Sequence, residues 1–253
     1  IWTALQSTGN ATSAIPLYML ILYRWMKSNQ SENELKSCFG GISVRTIRKW
    51  RRILVVQVAN LRTTKIDSNW NNTNGLLRGR TVDGIHYPID EPRPFSTSYS
   101  SHKLGGKAGL DYEFVVSTDR DCLCWLNGPF PAGKNDKTIL ENHGLKEAIE
   151  NLQQMAGDDI RVIADDGYFK KDLLGILSFR NEFDPRDIAW FKDRALSRHE
   201  QFNGYTKRFK VLEERFSHDH TSGNPNGEFP MHKACVEAIC VTLQCELEVG
   251  ELT

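Results

Sequence analysis

Three acidic side chains, far apart in the chain, follow patterns that would place them at the edge of a folded core. Asp165 directly follows the apolar run 160–164, and Asp83 lies in Thr81-Val82-Asp83-Gly84-Ile85, which reads as a second short strand ending in Asp-Gly; a glycine comes soon after each aspartate. A buried strand that ends this way carries its last polar side chains clear of the core. Glu200 lies in a third segment, residues 197–212, with helical periodicity. We expect the three carboxylates to meet and hold divalent metal ions, which prefer oxygen ligands.

The segment around Glu200 has two distinct faces at helical spacing. An apolar stripe consists of Phe202, Tyr205, Phe209 and Leu212. The opposite face consists of Glu200, Asn203, Lys207 and Lys210. Glu200 is therefore predicted to stand off the core, with Asn203 and Lys207 as supporting residues along a face that suits a phosphate backbone.

The chain has 253 residues, 40% of them hydrophobic and 25% charged, which is typical of a globular protein with a sizeable core. The formal net charge is zero, but its distribution is uneven. Residues 1–80 contain 12 Lys and Arg and only 3 Asp and Glu, whereas the remainder is acidic. A basic front and an acidic back predict two different tasks.

The basic front reads as a small helical domain over residues 1–62. Ser31 and Glu34 form a capping-box signature for one helix, and Gly40-Gly41 ends it before Ser43 can cap the next. On that next helix four basic side chains share one face: Arg45, Arg48, Lys49 and Arg52. A short helix, a glycine turn and a basic amphipathic helix favour a DNA-binding helix-turn-helix. The alternative is a solvated basic face on a helical bundle.

Residues 63–80, rich in Asn and Gly, read as a linker, followed by a second domain over 81–253.

Other patterns exclude several classes of protein. Six cysteines without regular spacing do not predict a disulfide framework. The apolar run 14–23 is too short for a membrane span, which needs ~20 residues, and it lacks the flanks of a signal peptide. We expect no membrane partner.

Several motifs together resemble those of the DDE superfamily endonucleases, specifically the transposases of the PIF/Harbinger type. The resembling stretches are Val82-Asp83-Gly84, the run 125–136 that ends in Asn135-Asp136, Ala164-Asp165-Asp166-Gly167-Tyr168, and Ser197-Arg198-His199-Glu200 with Asn203-Gly204. The family pattern Asp-x-Gly-Tyr selects Asp165 rather than Asp166.

The resemblance implies an α/β fold in which an RNase H-like catalytic domain, a mixed five-stranded sheet flanked by helices, follows the helical domain. It implies that Asp83, Asp165 and Glu200 are both the catalytic residues and the metal ligands, with Asp83 bridging two Mg²⁺ or Mn²⁺ ions, and that Asp136 is a supporting residue. The implied substrate is double-stranded DNA at transposon ends. A separate DNA-binding protein and a second copy of the chain are further implied partners, with a nuclear location in a eukaryote and a cytoplasmic one otherwise.

Two functions from different classes follow from the sequence. The first is a metal-dependent DNA endonuclease and strand transferase, and the presence of all three acids favours it. The second is a catalytically inactive protein that has kept the fold and binds DNA through the helix-turn-helix.

Overall fold

The computed structural model describes residues 1–7, 14–70, 79–92, 96–118, 122–156, 160–216 and 229–250. The chain forms two compact units, each made of several stretches of sequence. The sheet unit comprises Ile66–His86 and Glu91–Gly204, and the helical unit comprises Ile1–Lys65, Tyr87–Asp90 and Tyr205–Thr253.

A mixed five-stranded sheet forms the centre of the sheet unit, in the order β3-β2-β1-β4-β5. Its strands are β1 (Arg80–Pro88), β2 (Gly109–Ser117), β3 (Leu123–Pro131), β4 (Val162–Ala164) and β5 (Leu177–Ser178). β1 pairs in parallel with β4, and β4 with β5, whereas β2 and β3 are antiparallel. This α/β arrangement is consistent with the expected RNase H-like fold.

Helices cover both faces of this sheet because alternate residues of its inner strands are apolar on each side. The first face packs against α6 (Asp136–Asn142) and α7 (Leu145–Ala156), in a core that includes Val82, Val115 and Val162. The second face packs against α8 (Arg186–Lys207), where Ile163 contacts Ala195 and Leu196.

The helical unit contains α1 (Trp2–Ser7), α2 (Pro16–Ser28), α3 (Glu32–Cys38), α4 (Val44–Ala59), α9 (Lys210–Glu213) and α10 (Pro230–Glu248). The predicted capping box is confirmed: the Ser31 side chain accepts from the Glu34 N–H, and the Glu34 side chain accepts from the Ser31 N–H. The predicted cap of α4 is also confirmed, because Ser43 accepts from the Thr46 N–H. α4 packs against α2, α3 and α10.

The four basic residues predicted to bind DNA are all exposed on α4. One of them is already engaged, since Arg48 donates from Nε and Nη2 to the two carboxylate oxygens of Glu32, at 3.0 and 2.8 Å. The face therefore includes an acidic partner from α3, which the helix considered alone did not reveal. Both helices exist as expected, and their role in DNA binding remains a prediction.

Residues 63–70, which the sequence predicts to be part of a linker, are helical. A π-helical turn (Thr63–Asp67) leads into α5 (Ser68–Trp70), and the Trp70 ring is buried against Trp125 at a centroid distance of 5.4 Å. The rest of the expected linker, apart from residues 79 and 80, lies outside the described residues. No helix in the described ranges is both long enough and apolar enough to cross a bilayer.

Candidate active site

Asp83 and Asp165 lie side by side on neighbouring strands. Val82 of β1 is the register partner of Ala164 of β4, and the strands are parallel, so the next residue on each is an aspartate. Asp83 is half-buried, and its Oδ1 accepts from the Gly84 N–H at 2.8 Å. Asp165 is exposed just beyond β4, where its Oδ1 accepts from the Gly167 N–H at 2.9 Å.

Helix α8 brings Glu200 and Asn203 to the same region. Nδ2 of Asn203 donates to Oδ2 of Asp83 at 2.9 Å. Glu200 lies three residues earlier, hence on the same side of the helix, and is exposed. No choice of one ligand atom from each of Asp83, Asp165 and Glu200 places the three atoms within 4.8 Å of one another. Their joint role as catalytic and metal-binding residues remains a prediction.

Helix α8 is longer than the sequence indicated. It begins at Arg186 rather than at Ser197, and its first hydrogen bonds include that from the Ala189 N–H to the Pro185 carbonyl. A proline is tolerated at this point because its missing N–H would have no helical partner. Glu200 therefore sits well inside a 22-residue helix, not at a helix start. Lys207, the last residue of α8, is exposed.

Asp136, expected as a supporting residue, lies near Gly84 of β1 and near Gly167, beyond β4. It is the first residue of α6, after Asn135, whose side chain accepts from the Lys137 N–H. A Cβ added to Gly84 would lie 3.2 Å from Oδ1 of Asp136, and one added to Gly167 would lie 3.0 Å from its Oδ2. The added Cβ at Gly167 would also lie 3.0 Å from Oδ1 of Asp165. The carboxylates of Asp136 and Asp165 thus crowd around Gly167, and that of Asp136 also reaches Gly84.

The family model for the DDE superfamily endonucleases matches residues 82–243, which is more than half of the chain. The chain belongs to the DDE superfamily endonucleases. The match begins next to Asp83 and spans Asp136, Asp165 and Glu200. No curated protein matches the chain.

The carboxylates of this DDE endonuclease repel one another. Burial raises the pKa of Asp83 to about 6; Lys103 opposes the shift, and Asp165 and Asp136 add to it. The pKa of Asp136 is raised by burial first and by Asp165, again against the effect of Lys103. A half-buried group of like charges favours a bound cation, so these residues fit the divalent ions that the family implies.

A second group of ligands, which the sequence did not single out as a set, lies beside these acids. One ligand atom from each of His86, Asp111 and Asp136 lies within 4.8 Å of the others, and we call these residues the His86 cluster. Burial raises the pKa of Asp111 to about 8, with Asp136 adding to the shift. Glu113 is 1% exposed, and burial raises its pKa well above the usual value. One signal in the sequence was Asp111-x-Glu113, two acids on one face of an otherwise apolar strand.

Proposed function

We propose that this DDE superfamily endonuclease cleaves phosphodiester bonds in double-stranded DNA with divalent metal ions and transfers the cut strand, as transposases of the PIF/Harbinger type do. The observation that carries the proposal is the pairing of Asp83, within β1, with Asp165, just beyond β4, in a chain that matches the family. The donor set consists of oxygens, which suits Mg²⁺ or Mn²⁺.

Each residue would contribute to the reaction through position and charge. Asp83, Asp165 and Glu200 would hold the ions, and Asn203 fixes the carboxylate of Asp83 through its hydrogen bond. Two such ions, when bound, would supply charge stabilisation for the attacking and leaving oxygens of the phosphate. Lys103, whose ammonium is 3.8 Å from Oδ2 of Asp136, would compensate negative charge near the site. The exposed cations of α4 would neutralise phosphates of the DNA.

Nicking of supercoiled duplex DNA with Mg²⁺ or Mn²⁺ tests the proposal. Asp165→Asn should lower the rate at least ~100-fold, because it removes a carboxylate that would hold the ions whose charge stabilises the transition state. Asp166→Asn is the matched control, since Asp166 is the adjacent exposed acid, and it should keep most of the activity. Equal nicking by wild type and Asp165→Asn would contradict the proposal.

The inactive DNA-binding function remains the second candidate, supported by the exposed basic face of α4. It predicts DNA binding by the wild type with no cleavage under any divalent metal, together with a binding affinity unchanged in Asp165→Asn. Cleavage by the wild type that is lost in Asp165→Asn would exclude it.

A further inference from the structure

The His86 cluster and the predicted catalytic acid Asp83 face opposite sides of β1. Asp83 points to the α8 side, where it contacts Asn203. Its neighbour Val82 belongs to the core shared with α6 and α7, and alternation along the strand places Gly84 and His86 on that side too. Val115 of β2 lies in the same core, so Asp111 and Glu113, respectively four and two residues earlier, share that face. The cluster is thus separate from the Asp83 side chain.

Gly84, which has no side chain, lets two carboxylates of the cluster approach β1 closely. A Cβ at this position would lie 3.2 Å from Oδ1 of Asp111 and 3.2 Å from Oδ1 of Asp136. Any side chain there would compete with an ion for the room between the two carboxylates. The other oxygen of Asp136 faces Gly167 and Asp165, so this residue borders both sites.

Asp111 supplies an observation that points independently to a ligand. Its side chain is 1% exposed, and its Oδ1 makes no hydrogen bond within the described ranges. Nε2 of His86 lies 3.7 Å from Oδ1 of Asp111, a distance too long for a hydrogen bond. Two ligand atoms on a tetrahedral ion with bonds of about 2.1 Å are separated by roughly 3.4 Å, so an ion needs little movement of either side chain.

The imidazole of His86 is oriented for such a role. Its Nδ1 lies 2.6 Å from Oγ of the buried Ser101, so the ring turns Nε2 toward Asp111. Metal-binding histidines usually have their second ring nitrogen fixed by a hydrogen bond, which sets the ring orientation and the tautomer. A donor set of one imidazole and two carboxylates favours Mn²⁺ or Zn²⁺ over Mg²⁺, which keeps to oxygen ligands and water.

We propose that the His86 cluster binds one divalent transition-metal ion through His86, Asp111 and Asp136, at a site separate from the predicted catalytic trio. This goes beyond the proposed function, because it holds whether or not the chain cuts DNA. The competing explanation is a buried ion pair between protonated His86 and Asp111, which would repel a metal instead of binding it.

Electron spin echo spectroscopy of the whole chain loaded with Mn²⁺ distinguishes a metal site from a buried ion pair, because it detects a nitrogen bonded to the ion. The wild type should show ¹⁴N coupling from an imidazole, and the coupling should persist in an excess of Mg²⁺. It should disappear in His86→Gln and remain in His102→Gln, which changes the neighbouring imidazole, whose ring centroid is 6.3 Å from that of His86. Asp165→Asn, which removes a predicted catalytic ligand, should also keep it.

Affinity measurements complete the test with variants that disturb folding less. Ser101→Ala, which removes the partner of Nδ1 together with the side-chain cap on the Leu104 N–H, should weaken Zn²⁺ binding about 10-fold. Asp166→Asn should leave the affinity unchanged. Absence of ¹⁴N coupling in the wild type, or coupling that depends on His102 and not on His86, would overturn the proposal. Neither result bears on nicking, so failure here and failure of the proposed function are distinguishable.

Discussion

Asp111 carries its carboxyl group where an ionised carboxylate is poorly stabilised. Burial is the largest of the causes that raise its pKa to about 8, from an ordinary value of 3.8. Between these two pKa values the folded state keeps a proton that the unfolded state has released. The contribution of this proton to the free energy of unfolding is therefore fully present only below the unfolded pKa. That contribution is lost as the pH rises through about 8.

We predict that the metal-free protein loses stability between pH 6.5 and 8, and that Asp111→Asn, which cannot ionise, flattens this decline. Each unit of pKa shift is worth at most about 1.4 kcal/mol. Urea unfolding in the presence of a chelator measures the effect, with Asp166→Asn as the exposed control. A decline as steep in Asp111→Asn as in the wild type would show that Asp111 does not hold the proton.

Lys103 is the cation closest to the crowded acids. Its Nζ lies 3.3 Å from the Gly84 carbonyl oxygen and 3.8 Å from Oδ2 of Asp136, and it lowers the pKa of Asp83, Asp111 and Asp136 against the effect of burial. A divalent ion bound among the same acids would be repelled by this ammonium.

Lys103→Gln should accordingly raise the affinity for Mn²⁺ a few-fold, measured by titration at constant ionic strength. Lys107→Gln, a change at an exposed lysine of the same loop, should have no effect. A lower affinity in Lys103→Gln would mean that the lysine organises the carboxylates more than it repels the ion.

At the scale of elements, the pairing between α3 and α4 changes the expectation for DNA binding. Arg48 is held by Glu32, whereas Arg45 and Arg52 have exposed side chains on the same face of α4. An arginine that is already paired with a carboxylate must break that ion pair before it binds a phosphate, so its net contribution to DNA affinity is smaller. Equal contributions from the four basic residues are therefore not expected.

We predict that Arg52→Ala reduces the slope of log affinity against log salt by about 0.9, the value for one phosphate contact, and that Arg48→Ala reduces it less. Glu32→Gln, which frees Arg48, should strengthen DNA binding. Fluorescence anisotropy with a short duplex over a series of salt concentrations gives these slopes. An unchanged slope in Arg52→Ala would remove α4 as the DNA-contacting element.

Elements with local signals could be predicted, and elements defined by the fold could not. The caps at Ser31 and Ser43 mark α3 and α4 because capping depends on neighbouring residues. β3 continues through Pro129 and Pro131 because an edge strand has one side without a ladder and tolerates proline there, which depends on the place of the strand in the sheet and not on neighbouring residues.

The same division holds within the candidate site. Asp165 could be expected beyond the end of a strand, since it follows an apolar run and lies just past β4. Asp83 was also expected at a strand end, but β1 continues to Pro88, so the register of β1 with β4 brings the two aspartates together. The His86 cluster could not be assembled from the sequence. It requires the pairing of β1 with β2 and the placement of α6, which together bring three residues from separate segments around Gly84.

At the scale of the whole molecule, each compact unit contains a fully buried neutral histidine. Burial lowers the pKa of His199, in the sheet unit, to about 3, and its Nδ1 lies 2.8 Å from Oγ1 of Thr81. Burial likewise lowers the pKa of His232, in the helical unit, to about 3; its ring packs near those of Tyr87 and Phe216. The unfolded chain takes up protons near pH 6.5 that neither folded histidine accepts.

This difference gives stability that is present above pH 6.5 and is lost as the pH falls toward 3, opposite in sign to the effect of Asp111. We predict that His232→Phe, which keeps an aromatic ring but removes the titrating group, loses less stability than the wild type between pH 7 and pH 5. The difference should be about 1.4 kcal/mol for each pH unit below 6.5 at most. Urea midpoints at both pH values measure it, with His102→Gln as an exposed control. If His232→Phe and the wild type lose the same amount, protonation of His232 does not drive acid unfolding, and the buried acids must dominate the pH dependence throughout.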